Sequence, residues 1–356
     1  MTASDRSSTA TNCRLTTTII DVAVCAVAAL TTAVLGVFMQ AQMLDDAYIT
    51  YNHARNLSRF GKLVYSANVP SLTTTAPLYG ILLGAARALG LDIPAVSNLL
   101  GMASILGTGL ILYALCRRHN CRFAGAIAAM LLVTSPLLWL TLGLETCFFI
   151  MLVCGAFFFY DSQRYTFTAV FLALAVLTRA DGLIPAALIA AYHIFVAKRA
   201  VPWKSVAAFV AVIAPVLIYL VLLFGSPIPA TLHAKQAQIQ LGITGFELRT
   251  SLLEGLGMML QGWAVGSPLY YAVPVFALIG VLGLPRYRWV LGLAAWGLCH
   301  LAGYFVLRVS PYLWYYGALV PGVVLLVGVG AQRLASYTSR SWLRSTLEVS
   351  LMILSK

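Results

Sequence analysis

Charge is what this sequence has least of. Only 10% of its 356 residues are Asp, Glu, Lys or Arg, and acids are scarcer than bases, 11 against 23. An ordinary soluble domain carries about 25% charged and roughly 45–50% apolar residues, whereas this chain is 61% hydrophobic. A mean hydropathy of +0.89 over the whole length excludes a water-soluble globular protein, because only a bilayer is as apolar as these residues. Also missing are a glycine-rich Rossmann fingerprint, which disfavours a soluble nucleotide donor, and any His or Cys spacing suited to zinc. The seven cysteines lie mostly within or beside apolar stretches. Cys116 and Cys121 are too widely spaced for a CxxC pair, so the cysteines read as packing residues.

What the chain does contain is a series of apolar runs. A membrane span needs about 20 such residues, and the runs fall at approximately 18–40, 95–116, 123–142, 146–160, 165–178, 182–197, 205–224, 267–284, 288–307 and 312–331. The first run is too long for the apolar part of a signal peptide and shows no clear small-residue cleavage site, so it is expected to be a retained span. Pro77–Leu91, at 15 residues with Arg87 inside it, is short for a crossing and suits a re-entrant or interfacial helix.

The expectation is an all-α polytopic membrane protein of about ten transmembrane helices. A polar tail at 1–17 precedes a membrane domain at 18–331, and a basic tail follows at 332–356. Two segments, 41–94 and 225–266, are expected to lie on the membrane at one face; in the second, Phe246 to Trp263 roughly segregates apolar and polar residues at helical spacing.

The cations order the loops. With the N-terminus inside, one face collects Arg6 and Arg14, then Arg117, Arg118 and Arg122, Arg164, then Lys198, Arg199 and Lys204, Arg286 and Arg288, and finally Arg333, Arg340, Arg344 and Lys356, which is 15 of 23 cations. That asymmetry obeys the positive-inside rule and predicts both ends of the chain to be cytoplasmic. It also accounts for the net charge of +12 without invoking a nucleic-acid partner.

The few acids carry more information. Asp45, Asp46, Asp92, Glu145, Asp181, Glu247 and Glu254 fall on the opposite face. Asp45 and Asp46 follow the first span directly, Glu145 interrupts an apolar stretch at a hairpin, and Asp181 with Arg179 breaks the apolar run 165–197. An ionisable group near hydrocarbon costs a few kcal/mol on insertion scales and usually faces a bundle interior or a cavity. His193, inside an apolar span, reads as a packed, hydrogen-bonded histidine, and His53 likewise. Tyr312, Trp314, Tyr315 and Tyr316 fit an aromatic belt at the membrane interface, with sugar stacking or lipid guidance as the sharper alternative.

Several of these residues sit in motifs. Leu44-Asp-Asp-Ala-Tyr-Ile-Thr-Tyr-Asn-His-Ala-Arg-Asn-Leu57, Gly61-Lys-Leu-Val-Tyr65 and Thr75-Ala-Pro-Leu-Tyr79 are followed by Gly143-Leu-Glu-Thr146 and Leu177-Thr-Arg-Ala-Asp-Gly182. Pro229-Ala-Thr-Leu-His-Ala-Lys235 and Trp314-Tyr-Tyr316 complete the series. In this order they resemble the GT-C superfamily of polyprenyl-phosphate-sugar-dependent membrane glycosyltransferases, most of all its arabinofuranosyltransferase-like branch. The resemblance covers about 44–321. The chain departs from the family at Tyr51-Asn-His-Ala54, where Tyr-Arg-Tyr-Ala is frequent, and at Val69–Thr75, where an acidic, glycine-containing stretch is.

The resemblance implies an inverting transfer of a sugar from a polyprenyl-phosphate donor to a cell-envelope glycan, glycolipid or protein. It places the site at the outer face of a bacterial cytoplasmic membrane. Such chemistry needs a carboxylate to deprotonate the acceptor hydroxyl and cationic or hydrogen-bonding groups to stabilise the leaving phosphate. Asp45 is the expected base. Its neighbour Asp46 repels it, which suits one to take up a proton and the other to stay ionised or hold a metal ion; whether a divalent cation takes part stays open. Substrate contacts are expected from Tyr48, Arg55, Glu145, Arg179, Asp181, His233, Lys235 and Tyr315. Arg179 is preferred for the donor phosphate because its planar fork sits between spans, and Lys235 with His233 lies in a loop the family places near the donor. The competing class is a non-catalytic transporter or lipid carrier. It would favour inverted repeats and a midplane polar site, and the sequence has no visible repeat and gathers its polar residues at one face.

Overall fold

The computed structural model describes residues 3–39, 44–66, 73–226, 268–307 and 312–354, together with 237, 241 and 254–257. Its helices are α1 (Ala3–Met39), α2 (Ala47–Phe60), α3 (Pro77–Ala88), α4 (Ile93–Arg118), α5 (Arg122–Val133), α6 (Pro136–Leu140) and α7 (Thr146–Asp161). They continue as α8 (Tyr165–Thr178), α9 (Leu183–Ala191), α10 (Trp203–Phe224), α11 (Ala272–Val281), α12 (Val290–Leu307) and α13 (Val320–Leu354). No strand occurs among the described residues.

Among the described residues, six helical stretches are long and apolar enough to cross a membrane: Thr17–Met39, Ile93–Arg118, Arg122–Leu140, Trp203–Phe224, Val290–Leu307 and Leu313–Tyr337. Four shorter apolar helices, Thr146–Asp161, Tyr165–Thr178, Ala180–Val196 and Ala272–Val281, occupy the other expected spans. The ten positions match those read from hydropathy. Pro77–Ala88 forms a separate short helix, ended by a turn at Leu89 and Gly90. The terminal segments continue the spans they flank, α1 from Ala3 and α13 to Leu354, because neither contains a proline or glycine to interrupt it. Phe246–Trp263 falls almost wholly outside the described residues.

Helix starts follow local chemistry. Asp92 caps α4 by accepting a hydrogen bond from the Ala95 amide at 3.1 Å, with Pro94 in the first turn, which satisfies an orphan donor where the ring costs nothing. The main core packs α4, α5, α7, α12 and α13 around buried Leu112, Leu132, Phe149, Val153, Trp296 and Leu325. By contrast α1 and α10 leave long apolar faces open, with Val22, Leu30, Phe38, Ile218 and Leu222 exposed, as lipid contact requires.

Helix α13 is central because its glycines admit three neighbours at backbone range. A Cβ on Gly322 would meet Ala294 of α12 at 2.8 Å, one on Gly328 would strike the Ala124 carbonyl of α5, and one on Gly330 the Phe276 carbonyl of α11. Without a hydrophobic drive between helices in lipid, such small-residue contacts supply the packing. Gly330→Ala is therefore expected to separate α11 from α13 and cost roughly 1–3 kcal/mol, read as a lowered thermal midpoint in detergent. Gly303→Ala, whose Cβ would meet only Ile184 Cδ1 at 3.6 Å, should leave the midpoint unchanged.

The two ends of the bundle differ. At the basic end, Asp21 of α1 binds Arg117 at 3.3 Å and Arg122 at 3.2 Å and accepts from the Tyr113 hydroxyl at 2.6 Å. Asp161 binds Arg118 at 3.0 Å and His119 at 2.8 Å, and His119 stacks on Trp289 with ring centroids 4.7 Å apart. Two acids thus tie together the turns that the cations mark. Helices α2 and α3 cover the other end: Tyr219 of α10 accepts from the Leu63 amide at 2.9 Å, and Tyr51 of α2 donates to the Gly143 carbonyl at 3.1 Å.

Candidate active site

Asp45 and Asp46 form the turn that leads into α2. One Asp45 carboxylate oxygen accepts from the Asp46 amide at 2.9 Å. Asp46 is the N-cap residue by position, yet its side chain makes no capping bond, so its charge faces the positive end of α2 without being tied to it. Asp45 is exposed and Asp46 half-buried. Helix α2 is held in place by its apolar face: Ala47, Tyr51 and Ala54 pack with Tyr79, Leu83, Leu144 and Trp314. Burial pushes the Tyr51 phenol up to about 12, so it stays a neutral donor to the Gly143 carbonyl, which also accepts from Ser97 at 2.8 Å. Through these bonds the first motif is pinned to the loop that carries Glu145.

A buried ionic network stands beside them. Helix α8 ends at Thr178, and the chain turns through Ala180–Gly182 before α9. The turn folds back so tightly that a Cβ on Gly182 would lie 2.7 Å from the Ala175 backbone, which only glycine allows. Arg179 thereby points inward, 8% exposed. Its Nη1 donates to Glu145 at 2.9 Å, its Nε to Asp181 at 3.2 Å, and its Nη2 to Asp181 and to the Tyr304 hydroxyl, both at 2.9 Å. Tyr304 in turn donates to Asp181 at 2.5 Å, and His300 Nε2 lies 3.7 Å from the same carboxylate. Phe149 and Tyr315 flank the guanidinium at 5.7 and 6.0 Å. Tyr315 stacks on Tyr304 with centroids 3.8 Å apart and lies edge-on to Trp314 at 5.8 Å, which packs against the apolar cluster of α2. Ring contacts thus run from Trp314, packed on the apolar face of α2, through Tyr315 and Tyr304 to the Arg179 cluster.

Of the residues picked out in the sequence, Glu145, Arg179, Asp181 and Tyr315 gather here, and the Asp45–Asp46 turn starts the helix whose apolar face packs on the neighbouring Trp314. Tyr48 and Arg55 do not join them: Tyr48 is exposed and packs edge-on against Tyr51, and Arg55 is exposed with its guanidinium on Asn52. His233 and Lys235 lie outside the described residues. His193 is packed between the Tyr160 hydroxyl at 3.2 Å and the Ala200 carbonyl at 3.0 Å, and His53 bonds the Ile49 carbonyl at 2.8 Å. The aromatic-belt reading needs correcting for Tyr315 and Tyr316, which are 4% and 1% exposed. The 3-10 turns Leu313–Tyr315 and Gly317–Leu319 fold them into the bundle, and burial against Tyr304 replaces contact with lipid.

Tyr304 and His300 went unnoticed in the sequence because an apolar span surrounds them. Their separation of four residues, which puts both polar groups on one face of α12, was the available signal. His300 Nδ1 is buried and has no hydrogen-bond partner among the described residues. Chemically, the arrangement offers one half-buried and one exposed carboxylate beside a guanidinium neutralised by two further acids. Among the described residues four of the five Arg179 protons are engaged, one on Nη1 being left without a partner there. Among the described residues no three His, Cys, Asp or Glu side chains converge as metal ligands.

No family model and no curated protein matches the chain. Two solved structures do share its fold. ArnT from Cupriavidus metallidurans bound to undecaprenyl phosphate superimposes with a TM-score of 0.64 at 14% identity, over 94% of this chain and 63% of that one. The apo form of the same protein gives 0.60 at 14% identity, over 90% and 61%. The chain spans less than two thirds of the length of these neighbours. It is thus a multi-pass membrane protein, helical throughout its described residues, with a fold like that of ArnT.

Proposed function

We propose that this chain is an inverting membrane glycosyltransferase, moving a sugar from a polyprenyl-phosphate donor to a hydroxyl of a cell-envelope glycan, glycolipid or protein. The site would face outward from a bacterial cytoplasmic membrane. The observation that carries the reading is the buried Arg179 network, joined through Tyr315 and Trp314 to the apolar face of the helix that the Asp45–Asp46 turn begins, at the end of the bundle opposite the basic loops. The likeness in fold to a protein bound to undecaprenyl phosphate supports a lipid-linked donor.

In this reading the acceptor oxygen attacks the anomeric carbon from the face opposite the phosphate. The carbon–oxygen bond to phosphate breaks with its electron pair leaving on the polyprenyl phosphate, and the acceptor proton passes to Asp45. Asp45 suits the role because it is exposed and only one of its oxygens is bonded to backbone. Asp46 tunes its neighbour, and Tyr315 offers an aromatic surface beside the sugar. Because Glu145 and Asp181 fill most of the Arg179 fork, the donor phosphate reaches only its last Nη1 proton and depends on Lys235 and His233 for most of its countercharge. Tyr48 and Arg55, exposed along α2, face the acceptor.

The test is an assay of purified protein with a panel of radiolabelled polyprenyl-phosphate sugars and envelope acceptors. One donor should be consumed, with release of polyprenyl phosphate and labelled acceptor. A protein that consumes none, yet moves the lipid between leaflets of a vesicle, is a carrier and refutes the proposal.

A further inference from the structure

The basic end of the bundle holds a second feature, distant from the site above. A cavity of about 540 Å³ opens between the turn that starts α8 and the turn that starts α10. Arg164 and Lys204 line it, together with Tyr165, Phe167 and Trp203. Phe167 and Trp203 are 53% and 73% exposed, an arrangement that places aromatic rings at the level where two spans enter the membrane. Arg199 stacks over Tyr165 at 6.0 Å and also bonds its hydroxyl, and Lys198 precedes it.

Among the described residues no acid pairs with this concentration of positive charge. Between residues 162 and 226 the only acid is Asp181, which lies at the far end of the bundle in the grip of Arg179. Asp161, just before the turn, is already bound by Arg118 and His119. None of Arg164, Lys198, Arg199 and Lys204 forms an ion pair among the described residues, and all four are exposed. Above the cations the wall is apolar: in Trp203–Phe224 just 6% of the most apolar window is buried.

We propose that this groove binds an anionic phospholipid of the adjacent leaflet, its phosphate between Arg164 and Lys204 and its acyl chains along the open face of α10. Basic pockets between transmembrane helices take acidic headgroups in this way, each cation near the surface contributing about 1 kcal/mol. The flanking rings fix the depth of the headgroup, and charge selects against a zwitterionic lipid. The proposal does not depend on the chain being a transferase.

Native mass spectrometry of the full chain, titrated with phosphatidylglycerol, phosphatidylcholine or inorganic phosphate, tests it. Phosphatidylglycerol should bind at least about tenfold more tightly than phosphatidylcholine, and inorganic phosphate, lacking acyl chains, far more weakly than either. Loss of two cations in Arg164→Gln/Lys204→Gln should weaken phosphatidylglycerol binding about 30-fold, while Arg164→Lys keeps most of it. Arg286→Gln/Arg288→Gln, at a different turn of the same end, should change little. Equal binding of the two lipids, an unaffected Arg164→Gln/Lys204→Gln variant, or an equal loss in the control pair overturns the site. Phosphate binding as tight as the lipid's would overturn the assignment to a lipid.

Discussion

Asp45→Asn is expected to lower sugar transfer by about 10²–10⁴-fold, the usual worth of a general base, while leaving thermal stability and donor affinity close to those of the unmodified chain. The asparagine is nearly isosteric and its side-chain oxygen can still accept from the Asp46 amide, as Asp45 does at 2.9 Å, so the turn into α2 should persist. Asp46→Asn should cost less, because Asp46 is half-buried whereas Asp45 is exposed to an acceptor. Turnover and donor binding measured on both variants decide the assignment. Near-normal turnover in Asp45→Asn refutes the base, and a larger loss in Asp46→Asn exchanges the two roles.

The second large effect is one of stability. Arg179 holds two carboxylates and a phenol together from three separate elements: the start of α7, the turn after α8, and α12. Replacing it with alanine strands Glu145 and Asp181 without their countercharge. Breaking a buried ionic pair on one side costs about 3–5 kcal/mol, so Arg179→Ala should unfold at a markedly lower temperature with no donor present. Arg179→Lys should recover only part of the loss, since an ammonium cannot serve Glu145, Asp181 and Tyr304 with one planar fork. Adding Glu145→Gln to Arg179→Ala should restore some stability by removing one stranded charge. The midpoint without donor is the informative readout. A residue that served the donor phosphate alone would lose affinity in Arg179→Ala and keep its midpoint, and that result would remove the clamp.

Part of this molecule was legible residue by residue. Runs of roughly twenty apolar residues placed the spans, since a bilayer of fixed thickness demands that length, and the ten helices lie where the runs do. His193 was correctly read as packed. Glu145 and the Arg179–Asp181 pair stood out because ionised groups are costly beside hydrocarbon, and both proved to sit at helix ends in one network. The aromatic-belt reading fails at Tyr315 and Tyr316 for a physical reason: an aromatic near the end of a span looks the same in sequence whether it faces lipid or folds inward. Tyr304 and His300 were hidden by the apolar run around them.

Composition and hydropathy alone were sufficient to indicate a helical membrane protein and the approximate positions of the apolar helices found among the described residues. Those properties depend on transfer free energies, which add along the chain residue by residue. Which groups touch is a different kind of information. Tyr304 bonds Asp181 across 123 residues, and Tyr51 bonds Gly143 across 92. Those pairings exist because glycines let α13 draw α5, α11 and α12 against its backbone and because α2 lies over the ends of its neighbours. Local pattern does not encode such contacts, since in lipid they arise from the fit of surfaces remote in sequence and not from a hydrophobic drive written in each segment.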